Sequence, residues 1–311
     1  MRVTSNTFPT ALVNQLTDLN TRQNRLQTQA ATGQRLQFPE DDPTAMRRVL
    51  DLQNESSSVG QYQNNITQLQ QQLTVSYSAM KSLKGISDRA SEIATLADGT
   101  KSPQDLQTYA TELNQLIQQG VDLANSKFGG NFLFGGTKSS AAPYTATLDA
   151  NGNVTGVAYN GNTQTSQTEI AEGVTFTAQT IGENTSGAGP RGLITDSRVG
   201  ADLFNHLISL RQHLAVGDTT SIANTDRANL AKDEDNIIFQ FGTNGALQSR
   251  LDAASSVTSD RSFSIETLVS KEADADLSET LVRLGQTQNA YKAALQSGAT
   301  ILGQSLLDYI H

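Results

Sequence analysis

Histidine, cysteine and carboxylate side chains are the groups through which this 311-residue chain could perform catalysis or bind metal. Cysteine is absent, which excludes disulfides, thiolate zinc sites and a catalytic thiol. His206 and His213 lie seven residues apart on one predicted helix, about 10.5 Å along its axis, so they are too far apart to bind one ion together. We expect both to be exposed or to lie at a seam between helices. The third histidine, His311, ends the sequence.

Three short motifs resemble ligand-binding sequences, and each departs from the required pattern. Residues 149–153 open like a calcium loop, but Val154 stands where the loop needs glycine and Asn160 where it needs glutamate. Residues 129–138, GGNFLFGGTK, lack the spacing of a phosphate-binding loop. The acidic run at 233–235 has no histidine or cysteine nearby in pattern and is typical of a solvated helix face. The sequence therefore predicts no catalytic residue, cofactor site or metal site.

The composition favours long helices over a thick globular core. Hydrophobic residues make up 36% of the chain, aromatic residues 5%, and tryptophan is absent. Long helical packing needs only a narrow apolar stripe, so we expect an elongated fold. The formal charge is −9, with no basic cluster that offsets it. Nucleic-acid binding needs clustered positive charge, and we therefore expect no such partner.

Neither a membrane span nor a cleaved leader is expected from the sequence. No stretch approaches the roughly 18 consecutive apolar residues of a spanning helix. The opening, MRVTSNTFPTALVNQL, lacks the apolar core of a secretory signal. We therefore expect that a route out of the cell, if the protein takes one, needs no cleaved signal peptide.

The segment after Pro43 carries the strongest helical pattern. With Leu52 as position a of a heptad, apolar residues dominate both the a and d positions up to residue 97. The a positions are Leu52, Val59, Ile66, Leu73, Met80, Ser87 and Ala94, and the d positions are Glu55, Tyr62, Leu69, Ser76, Leu83, Ala90 and Ala97. Such persistence is typical of helices that supercoil about neighbours. A helix over 44–98 would be about 80 Å long.

Residues at the helix boundaries carry start and stop signals. Asp41 and Asp42 precede Pro43, which predicts a capping carboxylate and a proline at the first position of the long helix. Gly33 is a plausible end for the helix before it. Another helix is predicted to open at Ser102, which proline follows directly.

Between two helical zones, residues 129–196 are rich in Gly, Asn and Thr with short β-prone runs. Asn151 and Gly152 separate two such runs and predict a hairpin. Helical periodicity resumes near Asp196 and Ser197. The sequence therefore predicts a mainly α fold, an elongated antiparallel helical bundle with a small β-rich insert. Its terminal helices carry apolar stripes, which usually indicate self-assembly or a partner helix.

Both helical zones, roughly 1–138 and 200–311, resemble the bacterial flagellin superfamily. The stretch GQRLQFPEDDPTAMRRVLDLQ is similar to the superfamily's segment in which a helix-ending glycine leads through a loop and an Asp-Asp-Pro turn into the long helix. Its C-terminal region is similar to GTNGALQSRLDAA, then KEADADLSETLVRL, then ALQSGATILGQSLLDYI. Two segments, GGNFLFGGTKSSAAPY and the ending SLLDYIH, resemble proteins of the hook–filament junction more than they resemble flagellins.

The resemblance implies a structural protein, not an enzyme, at the extracellular hook–filament junction, exported by the flagellar type III apparatus. It implies a terminal coiled-coil core of 1–42 with 277–311, a helical bundle of 43–128 with 197–276, and an outer β-rich domain of 129–196. Implied partners are further copies in a ring, hook-associated protein 1, flagellin and an export chaperone, without cofactor, nucleic acid or membrane insertion. Axial packing would fall on Leu12, Leu16, Leu19, Leu26, Leu281, Leu284, Tyr291, Leu295, Leu302 and Leu306.

Three other functions fit parts of the pattern. Flagellin itself has the same architecture but polymerises in bulk, so copy number would separate it from a junction protein. An enzyme or metal-binding module would carry its site in the β-rich insert, where no residues converge on one. A surface adhesin with a coiled-coil stalk would be parallel and trimeric and would normally have a signal peptide.

Overall fold

The computed structural model describes the backbone of residues 7–307 and the side chains of residues 10–300. The described residues form two compact units, unit 1 from residues 7–58 and 261–307 and unit 2 from Val59–Asp260. Helices make up most of the described chain, and its strands are short and confined to unit 2. The predicted mainly α fold with a small strand-containing insert is therefore confirmed. The division into three domains stays a prediction.

The helices include two that are far longer than the others. They are α1 (Thr7–Thr32), α2 (Pro43–Leu96), α3 (Pro103–Ala124), α4 (Leu203–Val216), α5 (Thr219–Ser221), α6 (Arg227–Ala273) and α7 (Leu277–Leu307), with a π-helical segment, Ile222–Asp226, before α6. Within residues 7–307, no helix combines the length and the hydrophobicity that crossing a membrane requires.

The buried stripe of α2 follows the predicted heptad positions. Apolar residues at a and d that are buried include Val59, Ile66, Leu69, Leu73, Met80, Leu83 and Ala90. Ser76 and Ser87 lie in the same stripe, and neither hydroxyl has a hydrogen-bond partner among the described residues. Gly60 and Gly85 do not interrupt the helix. The pattern therefore identified the face that α2 turns toward its neighbours.

The β-rich insert consists of short hairpins and one mixed sheet. Its strands are β1 (Lys127–Phe128), β2 (Asn131–Phe132), β3 (Tyr144–Leu148), β4 (Val154–Tyr159), β5 (Thr168–Ala171), β6 (Val174–Phe176), β7 (Glu183–Asn184), β8 (Thr195–Asp196) and β9 (Ala201–Asp202). The pairs β1–β2, β3–β4 and β5–β6 are antiparallel, and β8 pairs parallel with β7 and antiparallel with β9. The helix expected near Asp196 begins instead at Leu203, because residues 195–202 belong to this last sheet.

The predicted hairpin at Asn151 and Gly152 joins β3 to β4 and is confirmed. Gly152 has a φ of +79°, which glycine adopts without steric cost. The Asp149 carboxylate accepts the backbone N–H groups of Asn151 and Asn153, each at 2.8 Å. Asp149, the first residue of the motif that resembles a calcium loop, thus holds the turn.

The main core of unit 2 lies where α2, α3, α4 and the beginning of α6 meet the insert. Its largest fully buried side chains include Met80, Leu83, Ile93, Leu113, Ile117, Phe134 and Leu203. A smaller cluster joins Ile66, Leu69 and Leu73 of α2 to Ile170, Phe176 and Leu251. Phe134 and Phe176 therefore attach the insert to the helical bundle at two levels.

Unit 1 has a small core at the beginning of α2. Leu36, Ala45 and Val49 are buried there, packed against Val269 and Ala273 of α6. Ion pairs extend the contact between these helices, with Arg48 binding Glu272 through bonds of 3.1 and 2.9 Å and Arg261 binding Glu55. Polar contacts thus supplement a core that contains few large side chains.

Candidate assembly interface

The turn that opens α2 is fixed by the Asp42 carboxylate. Its Oδ1 accepts the backbone N–H groups of Thr44 and Ala45 at 3.1 and 3.0 Å, and Pro43 is the first residue of the helix. These bonds, chiefly that from Ala45, hold the pKa of Asp42 below its usual range. The carboxylate therefore stays charged at neutral pH beside the positive end of the helix dipole.

The neighbouring carboxylate, Asp41, binds the loop before it. Asp41 Oδ2 accepts the backbone N–H groups of Gln37 and Phe38, both at 3.1 Å. These bonds, helped by Arg25, lower the pKa of Asp41. Its Oδ1 lies 3.2 Å from the Arg25 guanidinium of α1. The Asp-Asp-Pro turn thus links the end of α1 to the beginning of α2.

The end of α1 and the beginning of α7 meet directly. The backbone N–H of Ala275 donates to the carbonyl of Gly33 at 2.8 Å. Gly33 has a φ of +73°, the left-handed conformation in which helices commonly end. At the other end of the pair, Leu12 packs against Gly298, where an added Cβ would lie 2.4 Å from the leucine Cδ2. The two helices are therefore antiparallel.

Small and polar residues of α7 line its seam with α1. Buried and half-buried positions repeat every four and three residues, at Thr280, Leu284, Thr287, Tyr291, Ala294 and Gly298. The buried hydroxyl of Thr287 donates to the Arg283 carbonyl at 2.8 Å, within the helix. On α1, Leu12, Leu16 and Leu19 are half-buried, and Leu26 is buried with 7% exposed. A seam of this composition hides less apolar surface than a leucine seam would.

Larger apolar side chains of α7 lie outside this seam. Leu281 is 57% exposed and Leu295 is 45% exposed. Each follows a seam residue by one position, about 100° around the helix, so the two share a second face. Leu277 and Val282 are exposed nearby. We call the set of Leu277, Leu281 and Leu295 the outer face of α7.

The ten residues predicted to carry axial packing fall into three groups. Six line the seam within the chain: Leu12, Leu16, Leu19, Leu26, Leu284 and Tyr291. Leu281 and Leu295 belong to the outer face of α7. The side chains of Leu302 and Leu306 lie outside the described residues. The contribution of all ten to assembly stays a prediction.

A histidine–aspartate pair, not found from the sequence, joins α4 to α6. His206 Nδ1 lies 2.7 Å from Asp233 Oδ2, and the other oxygen of Asp233 accepts the Asp202 N–H at 2.7 Å. Burial raises the pKa of Asp233. The prediction of a solvated acidic face is wrong for Asp233, because the helix turns this carboxylate toward α4 while Asp235 stays exposed.

A second pair lies one heptad further along α4. His213 Nδ1 is 2.6 Å from Asp226 Oδ2, and the Ser209 hydroxyl donates to the other oxygen at 3.0 Å. Asp226 is buried and ends the π-helical segment. Both histidines therefore lie at a helix seam, each with its own aspartate. Among residues 7–307, no group of three or more histidine and carboxylate side chains is placed to hold a metal ion.

The glycine-rich stretch of residues 129–138 forms turns around β2. Gly136 has a φ of +65°, and an added Cβ would lie 2.3 Å from two oxygens of Asn162. The Asn162 side chain accepts the Thr137 N–H at 2.9 Å, and its backbone N–H donates to Gly135 at 3.1 Å. These polar groups hold the loop itself, consistent with a structural role.

The chain matches a known family model over its N-terminal helices. Residues 3–139 match the bacterial flagellin N-terminal helical region. Flagellar hook-associated protein 3 of Escherichia coli (strain K12) is 25% identical over 288 residues, which cover 89% of this chain and 90% of that protein. Flagellar hook-associated protein 3 of Salmonella typhimurium is 25% identical over 296 residues, 91% of each chain.

A solved structure shares the fold. The crystal structure of flagellar hook associated protein-3 from Legionella pneumophila superposes with a TM-score of 0.60 at 15% identity, covering 71% of this chain and 97% of that chain. At this identity the likeness concerns the fold alone. The predicted resemblance is confirmed: this chain resembles flagellar hook-associated protein 3 over most of its sequence, and residues 3–139 match the helical region of bacterial flagellins.

Proposed function

We propose that this chain is a structural protein of the bacterial flagellum that forms the junction between the hook and the filament. The observation that supports this most is the outer face of α7, where Leu281 and Leu295 remain exposed beside a seam of small residues. Apolar side chains aligned on one face of a helix gain free energy when a partner covers them. The similarity to hook-associated protein 3 supplies the class of assembly.

In this proposal a ring of copies lies between hook-associated protein 1 and the first layer of flagellin. Neighbouring copies and partner subunits cover the outer faces of α7. A leucine that passes from half-exposed to buried contributes on the order of 1 kcal/mol. That contribution is small for one residue but is repeated at every copy, so assembly is strong only when many copies meet.

Export through the flagellar type III apparatus, without a cleaved signal peptide, completes the proposal. The protein then functions outside the cell. An export chaperone that binds the terminal helices would cover their apolar faces until assembly. Exposed leucines on α7 and the resemblance to a flagellar hook-associated protein support this step.

A second candidate is flagellin, the bulk subunit of the filament. The match of residues 3–139 to the flagellin helical region favours it equally. The similarity to hook-associated protein 3 over 89% of the chain favours the junction protein. The two candidates differ in copy number and in what remains when the gene is removed.

The test is a strain that lacks this gene, complemented by variants. We expect hooks without filaments, and monomeric flagellin in the culture medium. The full chain should restore filaments, and so should Gln115→Ala, a control on the exposed surface of α3. A chain lacking 300–311 should not restore them. Loss of all filament subunits from both cells and medium would identify flagellin, and normal filaments in the deletion strain would reject both candidates.

A further inference from the structure

Two neighbouring turns form a tip at one end of the helical bundle in unit 2. They are residues 97–102, between α2 and α3, and residues 217–218, between α4 and α5, which follow Val216 at the end of α4. Gly217 lies against α3, and a Cβ added to it would lie 3.9 Å from Leu106 Cδ1. Arg227 donates to two carbonyls in the last turn of α2, both at 3.1 Å. The ends of α2 and α4 and the beginning of α6 therefore lie together.

This tip presents apolar side chains next to carboxylates. Val216 is 77% exposed, although the rest of α4 contributes several leucines to the core. Leu96 is exposed at the end of α2. Asp98, Asp105 and Asp218 are the neighbouring carboxylates, and Lys101 and Arg227 are the neighbouring cations. The tip is thus an exposed apolar surface with a small excess of negative charge.

Hydrogen bonds keep both carboxylates of the tip ionised. The Thr100 hydroxyl and N–H donate to Asp98, and the Ser221 hydroxyl and N–H donate to Asp218. These bonds lower the pKa of Asp98 and the pKa of Asp218. Each carboxylate is therefore held by hydrogen bonds within its own turn and is charged at neutral pH.

A groove of ≈ 480 Å³ lies elsewhere on unit 2, between α6 and the loops of the insert. Its lining combines apolar side chains with two arginines: Ile181, Val199, Phe239, Leu247, Arg191 and Arg198. Phe239 is 48% exposed, and the Arg191 guanidinium lies over its ring, 4.3 Å from the centroid. Arg198 is paired with Asp196. No carboxylate within residues 7–307 pairs with Arg191, so the groove has an unbalanced positive charge.

The tip and the groove cannot meet within one chain. Asn244 of α6, beside the groove, bonds to the Leu73 carbonyl at 3.2 Å. Arg227, beside the tip, bonds to the Ala94 carbonyl. These two points on α2 are about 32 Å apart along the helix axis.

We propose that the tip of one copy docks into this groove on a second copy. Val216 packs against Phe239 and Leu247, and the carboxylates of Asp98 and Asp218 face Arg191. The two surfaces differ, so the contact is heterologous and repeats from copy to copy, as a closed ring or an open helix requires. The inference rests on the proposed function and specifies which surfaces of unit 2 bring copies together.

Because the chain has no cysteine, a designed pair can report this contact. In the complemented strain we would combine Val216→Cys at the tip with Thr243→Cys in the groove. A disulfide needs Cα atoms within about 7 Å, so the pair cannot close within one chain. Mild oxidation of assembled protein should give a ladder of covalent oligomers on a non-reducing gel. Each single variant, and V216C combined with Gln115→Cys on the exposed surface of α3, should give monomer.

A second cysteine pair and substitutions of Arg191 test the contact independently of the first pair. V216C with Val199→Cys, on another wall of the groove, should give the same ladder. Arg191→Glu should reduce cross-linking at least tenfold at low salt, and Arg191→Lys should retain most of it. Filaments without cross-links from either pair, or an equal ladder from the Q115C control, would overturn the contact and leave the proposed function intact. Normal filaments in the deletion strain would reject the function itself.

Discussion

The two exposed leucines of α7 allow folding and assembly to be separated by mutation. Leu281 and Leu295 are 57% and 45% exposed and therefore make few contacts within the chain. We expect L281A and L295A to change the free energy of unfolding by no more than about 0.5 kcal/mol each. Leu26, with 7% exposed, is the matched control on α1. L26A should cost about 2–5 kcal/mol, because it leaves a cavity in the seam.

L281A and L295A should weaken assembly, although they hardly change the stability of the fold. Complete burial of a leucine is worth roughly 1.5–3 kcal/mol, and about half of each side chain remains to be buried. Together the two substitutions should remove on the order of 2 kcal/mol for each copy that is incorporated. That corresponds to roughly a thirtyfold weaker contact.

Two measurements on the same variants test this reasoning. Urea unfolding of the purified chain gives the stability, and filament counts in the complemented deletion strain give the assembly. We expect L281A/L295A to unfold like the unsubstituted chain and to restore few filaments, although equal amounts are exported. Filament counts at the unsubstituted level would refute the role of the outer face. An unfolding midpoint lowered as far as that of L26A would refute the inference that these leucines make few contacts within the chain.

Three further predictions concern the fold. Gly298→Val should lower the thermal unfolding midpoint, because an added Cβ meets a leucine of α1 at 2.4 Å. At Gly285 an added Cβ meets nothing within 4 Å, so Gly285→Ala should stabilise α7 by up to about 1 kcal/mol. Equal midpoints for the two variants would contradict the seam between α1 and α7. Asp226→Ala should cost about 1–3 kcal/mol in chemical denaturation, since it leaves buried donors unpaired, and the exposed control Asp235→Ala should cost less than about 0.5 kcal/mol. Hydrogen bonds from Ser102, the residue that caps α3, lower the pKa of Asp105. The stabilisation that ionised Asp105 gives to the fold is therefore present above its ordinary pKa of 3.8 and is lost as the pH falls through the lower pKa of the folded state. The difference in stability between D105N and the unsubstituted chain should be clear at pH 7 and vanish well below pH 3.8, and a difference that persists there would contradict the assignment.

Features set by local sequence were the ones that could be predicted. The heptad of α2 needs only side-chain types at fixed spacing, and its a and d positions from Ile66 to Ala97 are buried. The caps are equally local, since Asp42 and Ser102 accept N–H groups two or three residues ahead. The Asn151–Gly152 hairpin depends on the backbone freedom of one glycine.

Features set by the packing partner could not be predicted. The acidic run at 233–235 has no pattern that distinguishes Asp233, and its burial depends on α4 lying opposite with His206 in reach. The π-helical segment shifts Asp226 toward His213, and no sequence signal marks that shift. Leu203 begins α4 late because the preceding residues join a sheet with β7.

The same limit applies to the candidate interface. Leucine periodicity identified α1 and α7 as the helices with apolar stripes, but not which residues face each other. Thr280, Thr287 and Gly298 occupy the buried positions of α7, since small side chains allow the leucines of α1 to approach. Leu281 and Leu295 are left exposed, although their residue type alone would have favoured the seam.

Location within the flagellum tests the central claim most directly. Cells of the complemented strain would be labelled with gold-conjugated antibody against unit 2 and viewed by electron microscopy. The junction role predicts one narrow band of label where the hook meets the filament, with the rest of the filament unlabelled. Label along the whole filament would contradict that role and identify the chain as the bulk filament subunit.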